Sequence, residues 1–384
     1  MSLTDVILIS LPAEGDRKKA FKDLSDSVNK SSIPINVVNF DVPVNIKTET
    51  LDKLVTLQDH YRALEVATEN NIRKIVQYMA DMLEEQRKRL EENLVVNGSS
   101  TKEYVSNFSW DAAKFPSNET LQLLLERADA IVGRIESEFR NRTTTYNNLR
   151  NSLQAMERKQ VGSLLTRNLG DIVKKDQFVL DSEYLITALV VVPRHAYSEW
   201  QSTYENLVDM VVPRSSELVF EDQEYGLWTV TLFQKMLSDF TQRAREKKFI
   251  VRDFTYNQEA IEEEKKQLEE ARAEKKKVFP ALFRFLKINF GELYITLVHI
   301  KSLKLFVESI MRYGLPVDFM TAMIVVPRKN VEKLRDLLLI KYQHLDTLAA
   351  MKSKDDDVLL AGVVKDDEYY PYVSITLETD MEPR

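Results

Sequence analysis

The sequence predicts an α+β fold, rich in helix, in which two α/β lobes of the ferredoxin-like, split βαβ type are joined by a long antiparallel coiled-coil neck as an elongated dumbbell. Three observations predict it. Two long stretches have helical periodicity, a β-α-β-β-α-β order lies between them, and a strand motif from that region recurs near the C-terminus. A chain of 384 residues is long enough for two or three domains.

The neck is predicted from apolar residues spaced three and four apart at 118–160 and 257–312. The first half of 257–312 alternates acidic and basic residues and keeps only a thin apolar stripe. A thin stripe can bury itself against one partner helix but not against a broad core, so we expect the two segments to pair. Pro280 predicts a kink, and 49–94 predicts a further helix or a bent pair of helices.

The region between the neck helices predicts one complete lobe, whose elements alternate in type and length. They are a strand at 184–194, a helix at 195–209, strands at 216–222 and 225–233, a helix at 234–247 and a strand at 248–256.

The second lobe is predicted from an internal echo. Thr187–Arg194 reads TALVVVPR and Thr321–Arg328 reads TAMIVVPR, and EYGLWTVTL at 224–232 is echoed by EYYPYVSITL at 368–377. We therefore expect the C-terminal region to repeat the strand–helix–strand–strand order and to take a further strand from Val6–Leu11 or Ile35–Val42. The predicted division is a foot at 1–116, a neck helix at 117–160, a head at 161–256, a neck helix continuing into the foot at 257–312, and the rest of the foot at 313–384.

Composition excludes several classes of function. The chain has no cysteine, which excludes disulfides, thiolate metal sites and a cysteine nucleophile. Its nine glycines are too scattered to form either common phosphate-binding loop. The apolar stretch at 282–300 contains Arg284, Lys287 and Glu292, so it does not predict a membrane span. No basic segment precedes the apolar run near the N-terminus, and we expect a soluble, intracellular protein without a cofactor.

Catalytic candidates are few. His299 lies in the apolar stripe and is interpreted as a packed neck residue rather than a ligand. His195 follows a strand and could serve as an acid or base, although a position at a helix start explains it as well. The acidic clusters at Asp355–Asp357 and Asp366–Glu368 are interpreted as solvated turn carboxylates rather than a metal site.

One basic cluster stands out as a candidate interaction site. It comprises Arg243, Arg245, Lys247, Lys248 and Arg252. One explanation of the cluster is structural, because cations near a helix C-terminus complement the helix dipole. The functional explanation is an anionic partner such as an acidic protein surface, a filament or lipid headgroups. Nucleic acid is a poorer candidate, because the formal net charge of the chain is -7 and no aromatic residues interleave a basic sheet.

Five longer segments resemble a known family, the C-subunits of the vacuolar-type proton ATPase (V-ATPase), and the resemblance runs nearly end to end. The segments are FDVPVNIKTETLDKLVTLQD (40–59), YVSNFSWDAAKF (104–115), DIVKKDQFVLDSEYL (171–185), RAREKKFIVRDF (243–254) and FVESIMRYGLPVDF (306–319). That family's fold is a head and a foot joined by a long helical neck. The Asp-rich stretch at 352–357 matches no motif of the family.

The resemblance implies a non-catalytic stator subunit on the cytosolic face of vacuolar and other endomembranes. In that family, the C-subunit bridges the peripheral stalks, made of the E and G subunits, to the cytosolic N-terminal domain of the membrane a-subunit. Its release accompanies reversible disassembly of the pump, and some members bind actin. Two alternatives come from other classes. A coiled-coil adaptor in membrane trafficking or cytoskeletal binding would need a basic helical face, and an enzyme would need a convergent polar pocket.

Overall fold

A computed structural model describes residues 4–30, 35–83, 87–180, 182–345 and 370–381. The chain divides into two compact units, which are described separately. Unit 1 comprises residues 1–142 and 282–384, and unit 2 comprises residues 143–281.

Helices and strands alternate irregularly along the described residues. The helices are α1 (Arg17–Lys30), α2 (Leu51–Leu83), α3 (Arg87–Asn93), α4 (Thr101–Ser106), α5 (Leu121–Val161), α6 (Tyr197–Thr203), α7 (Leu237–Glu246), α8 (Gln258–Tyr313) and α9 (Val331–Tyr342). The strands are β1 (Thr4–Pro12), β2 (Asn36–Asn39), β3 (Val95–Val96), β4 (Ser99–Ser100), β5 (Leu185–Pro193), β6 (Glu217–Glu221), β7 (Tyr225–Phe233), β8 (Ile250–Arg252), β9 (Phe319–Pro327) and β10 (Val373–Leu377).

The main sheet of unit 1 draws its strands from both ends of the sequence. Its order is β10-β1-β9-β2, and every neighbouring pair is antiparallel. β1 pairs with β9 along all nine residues, with Val6 opposite Val325. Leu24 and Val28 of α1, and Leu334 and Leu338 of α9, pack in one core on a face of this sheet. Of the two N-terminal stretches predicted as alternative sheet partners, both contribute a strand.

The sheet of unit 2 has the order β6-β7-β5-β8, again antiparallel throughout. This is the strand order expected of the predicted β-α-β-β-α-β lobe. One face is covered by α6 and α7, which bury Trp200 and Phe240. The other face is covered by the segment after α5, through Leu164, Leu169 and Val173. The central strand β5 is therefore apolar on both faces, which explains its continuous run of aliphatic residues.

Two boundaries in unit 2 differ from the prediction. The strand expected at 248–256 pairs only over β8, because Phe254 and Tyr256 leave the sheet and pack their rings on Phe178 at centroid distances of 5.8 and 5.2 Å. The helix expected at 195–209 is α6 flanked by short 3-10 turns. An extended covering segment and a strand have the same alternation of apolar residues, so sequence alone does not separate them.

The internal echo relates central strands but not equal positions in the two sheets. TALVVVPR lies mainly in β5, which is the first of the four strands of the unit 2 sheet in chain order. TAMIVVPR lies mainly in β9, which is the third in chain order of the four strands of the main unit 1 sheet, after β1 and β2. Each is followed by a 3-10 turn and a helix. The predicted strand between α9 and β10 falls at 346–369, outside the described residues.

The two longest helices, α5 and α8, lie at the segments predicted as the neck. Thr120 caps α5 by accepting a hydrogen bond from the backbone of Leu123 at 3.4 Å, and α8 continues through Pro280. Within unit 2 the two helices contact each other in antiparallel order. The rings of Tyr146 and Phe279 are 6.4 Å apart, and further along Glu157 and Arg272 form an ion pair of 2.9 Å. The segment 49–94 forms α2 and α3.

Unit 1 contains a buried ion network that sequence periodicity did not indicate. Lys301 of α8 is 3% exposed, yet it bonds to Glu65 of α2 and lies 2.9 Å from a carboxylate oxygen of Glu69. Its ammonium also donates to the carbonyl of Thr376 in β10 at 3.0 Å, and Lys304 donates to the second oxygen of Glu65 at 2.8 Å. Beside Lys301 and Lys304, the pKa of Glu65 is lowered in spite of its burial. The network joins α2, α8 and β10.

Replacing Lys301 with methionine should destabilise unit 1 by about 3 kcal/mol, because it leaves buried carboxylates with less than their full set of partners. The double variant Lys301→Met/Glu65→Gln should recover part of that loss, since it also removes the buried charge. Urea unfolding of the two variants and of the unchanged protein measures both effects. If Lys301→Met unfolds at the same urea concentration as the unchanged protein, the network does not stabilise unit 1.

Candidate protein-interaction site

The basic cluster lies where α7 ends and β8 begins in unit 2. The turn has the hydrogen bonds of a Schellman motif. The N–H of Phe249 donates to the carbonyl of Ala244 at 2.9 Å, and the N–H of Lys248 donates to the carbonyl of Arg245 at 3.0 Å. Phe249 is fully buried beside Trp200, with ring centroids 5.1 Å apart. The buried ring fixes the turn, and the turn holds the neighbouring lysines in solvent.

Two of the five predicted cations bond to backbone carbonyls. Arg243 donates to the carbonyl of Leu207 at 2.7 Å. Arg252 donates to the carbonyls of Leu164 and Arg167 at 2.9 and 3.0 Å, and partial burial lowers the pKa of its guanidinium. The bonds of Arg252 tie the segment that covers the sheet to β8, and the bond of Arg243 ties α7 to the residues after α6. Arg252 in particular has a structural role, which the sequence pattern did not distinguish from a binding role.

The other three cations face solvent. Lys247 lies 3.8 Å from a carboxylate oxygen of Glu199 in α6, a separation at which an exposed ion pair contributes little. Arg245 and Lys248 are exposed, and neither forms an ion pair with a carboxylate of the described residues. The structure thus brings Arg245, Lys247 and Lys248 together at one turn as cations available to an anionic partner.

Lys248 occupies a backbone conformation that favours glycine. Its φ is +65°, in the left-handed region, where a side chain costs about 1–2 kcal/mol relative to glycine. The chain therefore places an exposed cation at a position where a residue without a side chain would be less strained. Strain at an exposed polar residue favours a functional interpretation of that residue.

His299 is packed, as predicted, and it lies in unit 1. It is fully buried against the rings of Phe115, Trp110 and Phe108, at centroid distances of 4.6, 4.8 and 5.2 Å. Its Nε2 accepts a hydrogen bond from the N–H of Asp111 at 3.0 Å, which places the ring proton on Nδ1. Desolvation by burial lowers the pKa of His299 to about 4. The neutral ring therefore anchors the YVSNFSWDAAKF segment to α8.

The remaining catalytic candidates do not converge on one site. His195 is exposed in the 3-10 turn after β5. The acidic clusters at Asp355–Asp357 and Asp366–Glu368 lie outside the described residues. In the part of the chain that the structure describes, no group of three or more His, Cys, Asp or Glu side chains could hold a metal ion.

An open groove of about 930 Å³ lies in unit 1, lined by α2, α5 and the residues after β10. Several of its charged side chains are paired with one another. Arg73 lies 3.2 Å from Glu378, and Lys74 lies 3.8 Å from Glu136 near the groove. These exposed pairs stabilise the groove's walls only slightly.

Comparison with known proteins identifies the family. A family model that describes the V-ATPase C-subunit matches residues 6–373. The chain belongs to the V-ATPase C-subunit family. It is 45% identical over 380 residues to the V-type proton ATPase C-subunit of type 1-A from Danio rerio and 43% identical over 380 residues to the type 1 C-subunit from Xenopus tropicalis. It is 41% identical over 382 residues to the V-type proton ATPase C-subunit of Manduca sexta, and each match covers 99% of both chains.

Membership of the V-ATPase C-subunit family confirms the resemblance seen in the sequence and makes proton transport the relevant process. Among solved structures, the chain has a weak likeness to the cytoplasmic N-terminal domain of the V-ATPase I-subunit, which is a homologue of the a-subunit. The TM-score is 0.34 at 14% identity, with 88% of this chain and 97% of that chain covered. No helix within the described ranges is both long enough and apolar enough to cross a membrane.

Replacing Lys248 with glycine should raise the stability of unit 2 by up to about 1 kcal/mol, because glycine adopts the left-handed region without strain. Thermal unfolding of the variant measures the change. Lys247→Gly is the matched control, since residue 247 has a φ of -92° and gains nothing from glycine. A lower unfolding midpoint for Lys248→Gly would show that the lysine side chain stabilises the turn.

The low pKa of His299 predicts that the folded protein becomes less stable as the solution is acidified below pH 6.5. The unfolded chain takes up the proton near pH 6.5, whereas the folded protein resists protonation until about pH 4. This stability is therefore fully present above pH 6.5 and is lost as the pH falls from 6.5 toward 4, by up to about 3 kcal/mol. Urea unfolding of the unchanged protein and of His299→Phe, which keeps an aromatic ring but cannot titrate, measures the effect. The stability difference between them should become more favourable to His299→Phe between pH 7 and pH 5, and a constant difference would contradict the prediction.

Proposed function

We propose that this chain is a non-catalytic stator subunit of the proton pump, which bridges the peripheral stalks of E and G subunits to the cytosolic domain of the a-subunit. The observation that carries the proposal is the construction of the chain, together with its family. Each compact unit has its own four-stranded sheet and core, and the long helices α5 and α8 each contribute residues to both units. Two binding modules in one chain are what a bridge between separate partners requires.

In this proposal each unit contains one end of a dumbbell, and α5 and α8, which the two units share, form its antiparallel coiled-coil neck. The head corresponds to residues 161–256, the neck to 117–160 and 257–312, and the foot to 1–116 and 313–384. The antiparallel contacts of Tyr146 with Phe279 and of Glu157 with Arg272 within unit 2 support the pairing of the two helices. A helical pair transmits force over a distance better than a flexible linker does.

The same construction supports a role in reversible assembly of the ATP-hydrolysing and proton-translocating sectors. Two moderate interfaces joined by one strut retain the protein through effective concentration, and loosening either interface releases it. The proposed site of action is the cytosolic face of vacuolar and other endomembranes, where the stalks and the a-subunit meet.

The exposed lysines of the basic cluster, Lys247 and Lys248, are proposed to contribute to the head's stalk-binding surface. The double reversal Lys247→Glu/Lys248→Glu should weaken binding of the full chain to a purified E–G heterodimer by about tenfold, through lost attraction and new repulsion. The loss should shrink as salt is raised, because exposed charges are screened. Isothermal titration calorimetry at low and high salt measures both effects.

The matched control is Lys276→Glu/Lys277→Glu, which reverses two exposed charges on α8 in the same unit. It should leave the affinity for the E–G heterodimer unchanged. If the unchanged chain fails to bind the heterodimer, the proposed bridge is wrong. If it binds and both double reversals bind equally well, the bridge stands and the basic cluster lies outside the interface.

A further inference from the structure

We propose that the open groove of unit 1 binds an extended segment of a partner protein that carries lysine or arginine. Three parts of the chain line this groove. Most of the lining side chains of α2 recur at steps of three and four residues, from Asn70 through Gln77 to Asp81. Phe139 of α5 and the residues at 378–381, which follow β10, complete the lining. All of these residues belong to unit 1.

The dimensions of the groove suit an extended segment better than a helix. The stretch of α2 from Asn70 to Asp81 is ~16 Å long at 1.5 Å per residue. A partner helix of that length and ~10 Å diameter would fill ~1,300 Å³, whereas an extended segment with the cross-section of a strand would fill ~800 Å³. The groove holds about 930 Å³. At ~3.3 Å per residue, it accommodates about five residues of extended chain.

The lining is more polar than that of a site for a small apolar ligand. Charged or amide side chains make up seven of the eleven lining residues, and the apolar and aromatic ones are Val76, Tyr78, Phe139 and Met381. Small-molecule sites are lined mainly by apolar side chains with a few polar groups among them. A polar peptide segment therefore fits this lining better than a small apolar molecule does.

The charges of the groove favour a cationic segment. Three carboxylates line it against two cations, and these side chains are Asp81, Glu378, Asp380, Arg73 and Lys74. Both cations are already in ion pairs. Arg73 lies 3.2 Å from Glu378, and Lys74 lies 3.8 Å from Glu136 of α5. A partner that brings a further cation meets the excess of carboxylate, whereas an anionic partner would have to compete with the existing pairs.

One end of the groove combines a carboxylate with two aromatic rings. The rings of Tyr78 and Phe139 are nearly perpendicular, with centroids 5.8 Å apart. Asp81 lies three residues after Tyr78, on the same face of α2. It accepts a hydrogen bond from Gln77 at 2.8 Å and forms no ion pair with a cation of the described residues. A guanidinium or ammonium group placed there has both a ring face and a carboxylate to contact.

The buried ion network of unit 1 reaches the groove through Glu69. One carboxylate oxygen of Glu69 lies 2.9 Å from the ammonium of Lys301, and the other lies 3.8 Å from the guanidinium of Arg73. The cationic part of the lining is thereby connected to the fixed contact of α2 with α8. A lining that is ordered before binding reduces the entropy lost when a partner binds.

The identity of the partner rests on the proposed function. In that proposal the basic cluster of unit 2 faces a stalk, which leaves unit 1 to meet the a-subunit. We therefore assign the cationic segment to the cytosolic domain of the a-subunit. The two units then recognise partners of opposite charge, because the groove favours cations and the basic cluster favours anions.

Reversing two groove carboxylates tests this assignment. Asp81 is exposed in the last turn of α2, where a cation complements the helix dipole, so Asp81→Lys should not lower the thermal unfolding midpoint. The full chain carrying Asp81→Lys/Asp380→Lys should bind the purified cytosolic domain of the a-subunit about tenfold more weakly, and the loss should shrink as salt is raised. Its affinity for the E–G heterodimer should not change. Tyr78→Leu, which removes the ring face, should weaken binding to the domain about threefold.

Asp59→Lys/Asp129→Lys is the matched control, because it reverses two exposed carboxylates of unit 1 that do not line the groove. It should leave the affinity for the domain unchanged. If the unchanged chain binds the domain and the groove reversal binds equally well, or the control loses as much affinity, the groove is not the site and the proposed function stands. If the unchanged chain binds the E–G heterodimer but not the domain, the groove inference and the a-subunit end of the proposed bridge are both wrong. If the groove reversal weakens binding to the heterodimer instead, the assignment to the a-subunit is wrong.

Discussion

The pairing of β1 with β9 is the constraint on which the rest of unit 1 depends. Val6 and Val325 are more than 300 residues apart in sequence, yet they lie opposite each other in the centre of a four-stranded sheet. β1 also carries β10 on its other side, so the first and last described strands both need this pairing. The whole of unit 2 is therefore inserted between the two halves of a single sheet. The helices α5 and α8 are the two connections that such an insertion needs, and both are long and continuous.

The buried charges of unit 1 reinforce the same arrangement. Lys301 holds α8 against α2 through Glu65 and against β10 through the carbonyl of Thr376. A buried ion network costs desolvation and gives little net stability, but breaking it is expensive. Its effect is to penalise any other register of α8 against α2. For a chain proposed to transmit force, a fixed register between the helices and the sheet is of more use than additional apolar burial.

Much of this fold could be predicted from the sequence where a pattern is local. The strand at 225–233 was predicted at the bounds it has, because a half-buried strand alternates and its neighbours are turn residues. The strand predicted at 248–256 was too long, since Phe254 and Tyr256 alternate in the same way while packing on the outside of the sheet. The internal echo also predicted that an N-terminal strand joins the C-terminal sheet, which the pairing of β1 and β2 with β9 confirms. Individual side-chain contacts could not be predicted, because neither the pairing of Lys301 with Glu65 nor the division of the basic cluster between carbonyl-bound arginines and exposed lysines has a local signature. The basic cluster therefore stays a prediction as a binding site, whereas the structural role of Arg252 and the exposure of Lys247 and Lys248 needed the structure.

The insertion of unit 2 has a consequence for how the protein is made. A ribosome completes every strand of the unit 2 sheet by residue 252 and its part of α8 by residue 281, so that unit can fold while the chain is still being synthesised. Among the described strands, β1 emerges well before unit 2, whereas its partners β9 and β10 emerge after unit 2. Until β9 and β10 are synthesised, β1 is an aliphatic strand with both edges unpaired, and it needs protection from aggregation during that time.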